Sequence, residues 1–146
     1  MFIGTSRTLV AAAIVFAIGN NGSAAASDPT RVRVPANLET PQVVQAGAQH
    51  FRETCAACHG APGVASSITG LSPAPPNLLA AHRRNDPADV FGKVENGITG
   101  TAMPAFRGNL SDRSIWEIAA FLHHSRGITA DAFAALSAAK ATAQGK

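Results

Sequence analysis

Charge is scarce in this sequence. Asp, Glu, Lys and Arg make up 14% of its 146 residues. The balance is 12 basic against nine acidic residues, a formal +3. That is not the charge balance of a nucleic-acid binder, and none is expected as a partner. Cysteine is scarcer still, with Cys55 and Cys58 the only two. No further pair exists to complete a Cys-rich zinc site. A disulfide across so short a loop would contribute little stability. No period of 20 to 50 residues recurs, which argues against a repeat architecture. No apolar run approaches the roughly 20 residues that a membrane-spanning helix needs.

Residues 1–26 read as an export signal. Arg7 gives a positive start, Leu9 to Ile18 is a ten-residue apolar run, and Ala24-Ala25-Ala26 offers a small-residue cleavage site before Ser27. An uncleaved leader acting as an anchor is the alternative. With the leader removed the net charge is +2, since Arg7 is its only charged residue. Residues 27–40 carry Pro29 and Pro35 and no helical stripe, and are expected to be extended.

Helical signals follow. Thr40 suits an N-cap, with Pro41 at the first helical position. Val44, Gly47, Ala48, Phe51 and Cys55 then recur at three- and four-residue steps along one face. Residues 60–81 are broken by Gly and Pro and predict a loop. A second helix is expected from Asp86 to Asn96, with Pro87 at its start, Gly97 at its end and Val90 and Val94 on one face. Residues 97–110 form another loop. A third helix starts near Ser111, with Ile115, Ile118, Ala119 and Leu122 as its stripe and Trp116 and Phe121 widening it; its end is expected near Gly127. Residues 128–146 are an Ala-rich tail in which Thr129 caps a short helix through Ala139.

Cys55-Ala56-Ala57-Cys58-His59 is the motif that carries chemistry. In C-x-x-C-H the two thiols add across the vinyl groups of haem, and the adjacent His reaches the iron. A thioredoxin-like pair wants a strand before it, whereas this motif ends a predicted helix. The motif predicts one covalently attached haem c per chain, held by Cys55, Cys58 and His59. Two haem propionates then bring the net charge near zero.

Met103 is the candidate second axial ligand. It is the only methionine left after leader removal, and it lies in the loop Gly100-Thr101-Ala102-Met103-Pro104. Pro104 biases it to an extended conformation, and a thioether ligand favours ferrous iron. The rivals are His50 on the first helix, His82 in a loop, and His123 and His124 at a helix end. The alternative for Met103 itself is a core-filling role.

These residues carry a resemblance to the bacterial class I cytochromes c. It covers about residues 41–126, within an expected cytochrome c domain of 41–127. Gly47, Phe51, Cys55 and Cys58 are spaced as on the family's first helix, and Ile118 and Phe121 resemble the pair on its last. The resemblance implies an all-α cytochrome c fold, three or more helices around one covalent haem. It implies that the first and last helices cross closely, with Gly47 permitting the approach. It implies that the carbonyl of Pro76, in Pro76-Asn77-Leu78, accepts the proximal histidine's Nδ1–H; Pro75 is the alternative. One departure is plain. Only Lys93, Lys140 and Lys146 are lysines, so the lysine-ringed face of the mitochondrial protein is not reproduced. Arg83, Arg84 and Arg107 are the candidate docking cations.

The expectation is a periplasmic, monomeric, one-electron carrier rather than an enzyme. It serves a dehydrogenase, an oxidase or a bc-type complex, as a free carrier or as a subunit. The alternative is a haem enzyme or gas-binding protein with a displaceable sixth ligand. A thiol–disulfide oxidoreductase is a third reading.

Overall fold

The structure, a computed structural model, describes residues 33–138. The expected leader at 1–26, the stretch 27–32 and the last residues of the tail, 139–146, lie outside the described residues. Within them the chain is helical, with no strand beyond two isolated bridges.

Helix α1 runs Pro41–His50. It continues without a break into a π-helical turn, Phe51–Cys55, and then into the short α2, Ala56–His59. Helix α3 is Pro87–Asn96, α4 is Asp112–His124 and α5 is Ala130–Ala138. Most starts follow local chemistry. The Asp86 carboxylate accepts from the backbone N–H groups of Ala88 and Asp89, and Ser111 Oγ accepts from Ser114 N–H. Thr129 Oγ1 accepts from Ala132 N–H at 3.3 Å. Thr40 departs from expectation. Its side chain makes no cap bond, and its Oγ1 is buried with no hydrogen-bond partner. The fixed φ of Pro41 and the Val44 N–H to Thr40 carbonyl bond start α1 instead.

Two further features differ from the sequence reading. Ala56 N–H donates to Phe51 O, a five-residue step that inserts one extra residue into the helical turn before the motif. Helix α4 stops at His124 rather than near Gly127. Ser125 leaves the helical region, and Gly127, at φ +73°, turns the chain back so that its N–H donates to Leu79 O at 2.7 Å.

Helix α4 is the spine. From Ile115 to Leu122 every residue is buried, so it packs on all sides and not along one stripe. One cluster joins Phe51, Phe121 and Phe133, with Phe51 edge-on to Phe133 at 6.3 Å and tilted against Phe121 at 5.5 Å. The other joins Val43, Phe91, Ile115 and Trp116, with Phe91 stacked on Trp116 at 4.5 Å. Helices α1 and α4 cross at Gly47. A Cβ there would lie 1.8 Å from Glu117 O and 2.8 Å from Phe121 Cβ.

Glu117 is a buried carboxylate at this crossing. Its oxygens accept from Arg113 Nε at 2.9 Å and pair with His50 Nε2 at 3.2 Å. Burying a carboxylate demands such partners. His50, which is not among the apolar residues along the face of α1, takes this role.

Candidate functional site: a cleft lined by the motif and Met103

The helix end at 56–59, the proline segment at 73–78 and the Met103 loop line one cleft of about 400 Å³. That volume lies in the range of cofactor sites, roughly 300–1,000 Å³. Cys55, Cys58, His59, Pro76 and Met103 all line it. Of the five histidines, His59 alone does so. His50 is engaged with Glu117, His123 Nδ1–H donates to Asn85 O at 3.1 Å, and His124 packs edge-on to His123.

Each lining group is positioned by identifiable contacts. His59 Nδ1 lies 2.9 Å from Pro76 O. A carbonyl only accepts, so Nδ1 carries the proton and Nε2 keeps its lone pair for a metal. Ser66 Oγ donates to Cys58 O at 2.7 Å and ties the following loop back to the motif. Cys55 and Cys58 are not joined to each other by a disulfide. Burial, with Cys58 alongside, pushes the Cys55 thiol up to about 12. A reactive redox thiol needs its pKa lowered, so Cys55 is poorly suited to attack a disulfide.

The Met103 loop is held against the end of α3. Ile98 N–H donates to Met103 O, Phe106 N–H to Val94 O, and Arg107 N–H to Glu95 O, at 3.0–3.2 Å. Thr101 Oγ1 donates to Ile98 O at 2.8 Å and accepts from Met103 N–H at 3.1 Å. Gly97 makes this approach possible. At φ +70° a Cβ would meet Ala105 N at 2.7 Å and Met103 O at 2.9 Å. Sequence reading took Gly97 only as a helix terminator; a Gly six residues before a loop methionine was the available signal.

The residues fit a haem. Two cysteine side chains and a His whose Nδ1 carries the proton share the cleft with a thioether. A further observation points the same way. Arg83 lines the cleft, and its Nε is buried with no hydrogen-bond partner. Leaving a buried donor unpaired costs about 1–3 kcal/mol, and more when it is charged. The wall is therefore built for a group that the protein alone does not supply.

Comparison with known proteins agrees. Residues 42–122, more than half of the chain, match the family described as cytochrome c oxidase, cbb3-type, subunit III. Cytochrome c6 of Leptolyngbya boryana is 36% identical over 77 residues, 53% of this chain and 86% of that protein. Among solved structures, cytochrome c6 of the diatom Phaeodactylum tricornutum is 32% identical with a TM-score of 0.43, covering 62% of this chain and 97% of that one. Cytochrome cL of Methylophaga aminisulfidivorans is 19% identical with a TM-score of 0.48, covering 62% of this chain and 60% of that one. This chain therefore spans less than two thirds of the Methylophaga protein's length.

The chain belongs to this cytochrome c family. It has the all-α cytochrome c fold and carries one covalently attached haem c, and its work is one-electron transfer.

Proposed function

We propose that Cys55 and Cys58 hold the haem through thioethers, and that His59 and Met103 are its two axial ligands. The carrying observation is that these four side chains line a single cleft. Haem supplies the one-electron couple between ferric and ferrous iron. His59 presents Nε2, because its Nδ1–H is committed to the Pro76 carbonyl. That bond fixes the ring's orientation and strengthens Nε2 as a ligand. Met103 offers a soft thioether from a loop anchored at both ends, which favours the reduced state. With both axial positions taken by side chains, the protein acts as an electron carrier and not as an enzyme.

The partners in this reading are redox proteins: a dehydrogenase, an oxidase or a bc-type complex. The family's description as an oxidase subunit supports a place in such a system. The export signal at 1–26 supports a periplasmic location. Among the described residues no helix is long and apolar enough to cross a membrane.

The ferric absorption spectrum tests the ligand assignment. A thioether-to-iron charge-transfer band is expected in the unsubstituted protein and is lost in Met103→Ala. Retention of that band in the variant refutes Met103, and high-spin ferric iron in the unsubstituted protein supports a displaceable sixth ligand instead. Amino-terminal sequencing of the exported protein is expected to begin at Ser27. Stopped-flow reduction by candidate dehydrogenases identifies the donor.

A further inference from the structure

Among the described residues, Asn85 alone has a positive φ without being a glycine, at +45°. Asparagine tolerates this left-handed conformation better than most residues that carry a side chain. The turn accounts for its backbone but not for its amide, which is half-buried in the cleft wall. Asn85 Nδ2 donates to Leu78 O at 2.7 Å and to Leu122 O at 2.8 Å. Carbonyls only accept, so the amide nitrogen, with its two protons, faces both. Leu122 O is among the last carbonyls of α4, which have no partner within the helix. The Asn85 carbonyl in turn accepts from His123 Nδ1–H, a second tie to α4.

These bonds hold the segment that reaches His59. Pro76 offers its carbonyl to His59 Nδ1–H. Pro73, Pro75 and Pro76 have no N–H, so none of them can anchor that carbonyl by donating a backbone bond. The anchors lie on its C-terminal side. Asn77 Oδ1 accepts from Leu79 N–H at 3.0 Å, Asn85 binds Leu78 O, and Gly127 N–H binds Leu79 O. Of the two asparagine side chains, that of Asn85 also bonds to α4. Leu78 and Leu122, whose carbonyls it bridges, both line the cleft.

We propose that Asn85 is a positioning residue for electron transfer: by clamping Leu78 to the end of α4, it keeps the Pro76 carbonyl on His59 Nδ1–H and so sets how strongly His59 donates to the iron. The inference rests on His59 being the proximal ligand. A histidine whose Nδ1–H is held by an acceptor is the more basic ligand. Stronger donation favours the more positive ferric iron, so a looser bond raises the reduction potential. Asn85 bonds to neither His59 nor Pro76; it acts through Leu78.

NMR and voltammetry of the holoprotein test it. Asn85→Gly keeps the left-handed turn and removes the amide. In the ferrous variant, solvent exchange of the His59 Nδ1 proton is expected to speed up about tenfold or more. At a fixed solution potential its ferrous-to-ferric ratio is expected to rise about threefold, which is about 28 mV for a one-electron couple. Val43→Ala lowers stability from a buried site outside the cleft, and is expected to leave both readouts unchanged. Unchanged exchange or an unchanged ratio in Asn85→Gly overturns the proposal and leaves Asn85 a turn residue; equal changes in Val43→Ala also overturn it. Should Asn85→Gly fail to mature with haem, Asn85→Asp decides, because it keeps the shape but offers no amide protons to the two carbonyls. Faster exchange of the His59 Nδ1 proton there supports the proposal, and unchanged exchange overturns it. The unsubstituted protein separates the two readings. His59 ring resonances free of any haem-induced shift count against His59 as the ligand, and the exchange comparison still decides whether Asn85 holds the Pro76 bond.

Discussion

The carbonyl oxygen of Glu117 occupies the place that a side chain at residue 47 would need: a Cβ on Gly47 would lie 1.8 Å from it. The obstacle is backbone of α4, so no rotamer change relieves it. The same Glu117 turns its carboxylate to His50 and Arg113, which locks the crossing from the polar side.

Gly47→Ala is therefore expected to force α1 and α4 apart. The variant is predicted to lose about 2–3 kcal/mol in denaturant unfolding of the holoprotein, after about 1 kcal/mol of gained helix propensity is set against the clash. Stability equal to that of the unsubstituted protein would show that the helices separate at no cost.

Gly97 links helix geometry to Met103, the proposed haem ligand. Its backbone, at φ +70° and ψ −172°, lies in a region that only glycine readily adopts, and the Met103 loop packs directly over it. Gly97→Ala is predicted to loosen Met103. The expected signs are a weakened thioether-to-iron absorption and an about threefold or greater rise in affinity for added imidazole at the iron. An unchanged spectrum with unchanged imidazole binding would show that the loop holds its position without Gly97.

The helix starts offer a paired test. Asp86 accepts two backbone N–H bonds, and Asp86→Ala is predicted to cost about 1 kcal/mol in thermal or denaturant unfolding. Thr40 makes no cap bond and buries an unpartnered hydroxyl. Thr40→Val is predicted to leave stability within about 0.5 kcal/mol, or to raise it. A loss at Thr40 equal to that at Asp86 would contradict the difference between the two caps.

Phe133 lies beyond the stretch matched by the family, yet it is 1% exposed and packs on Phe51 and Phe121. Phe133→Ala is predicted to destabilise the holoprotein by about 3 kcal/mol. A chain ended before Ala130 is predicted to lose at least as much. Little change in either would make α5 an ornament to the fold.

Local signals were legible. Asp86-Pro87, Ser111 and Thr129 mark helix starts because a side chain bonds to backbone only two or three residues away, and Gly97 and Gly127 mark turns because their backbone conformations suit glycine. The Cys55–His59 motif was legible because its chemistry is carried by residue type and spacing, and Met103, singled out as the methionine left after leader removal, lines the same cleft. What escaped sequence reading depends on distant partners. Glu117 lies outside the apolar stripe expected for α4, and only the packing of α1 buries it beside His50. Trp116 and Phe121 read as the edges of a stripe, although α4 is enclosed on all sides. The π-helical turn at Phe51–Cys55 falls inside the four-residue step between two buried residues, a step that an α-helix also gives, so periodicity alone gives no sign of it.

The sequence by itself determined the cofactor chemistry and the helical class, because covalent haem attachment and helix periodicity are both written in short spacings. Tertiary structure decided how those pieces meet: Gly47 against Glu117 and His59 Nδ1 on the Pro76 carbonyl, which the family resemblance implied, and Gly97 beneath the Met103 loop and Arg83 in the cleft wall, which it did not. The reason is physical. Each of these pairs is set by how packed helices and anchored loops share space, and residues that lie between 6 and 70 positions apart in the chain carry no local record of their neighbours.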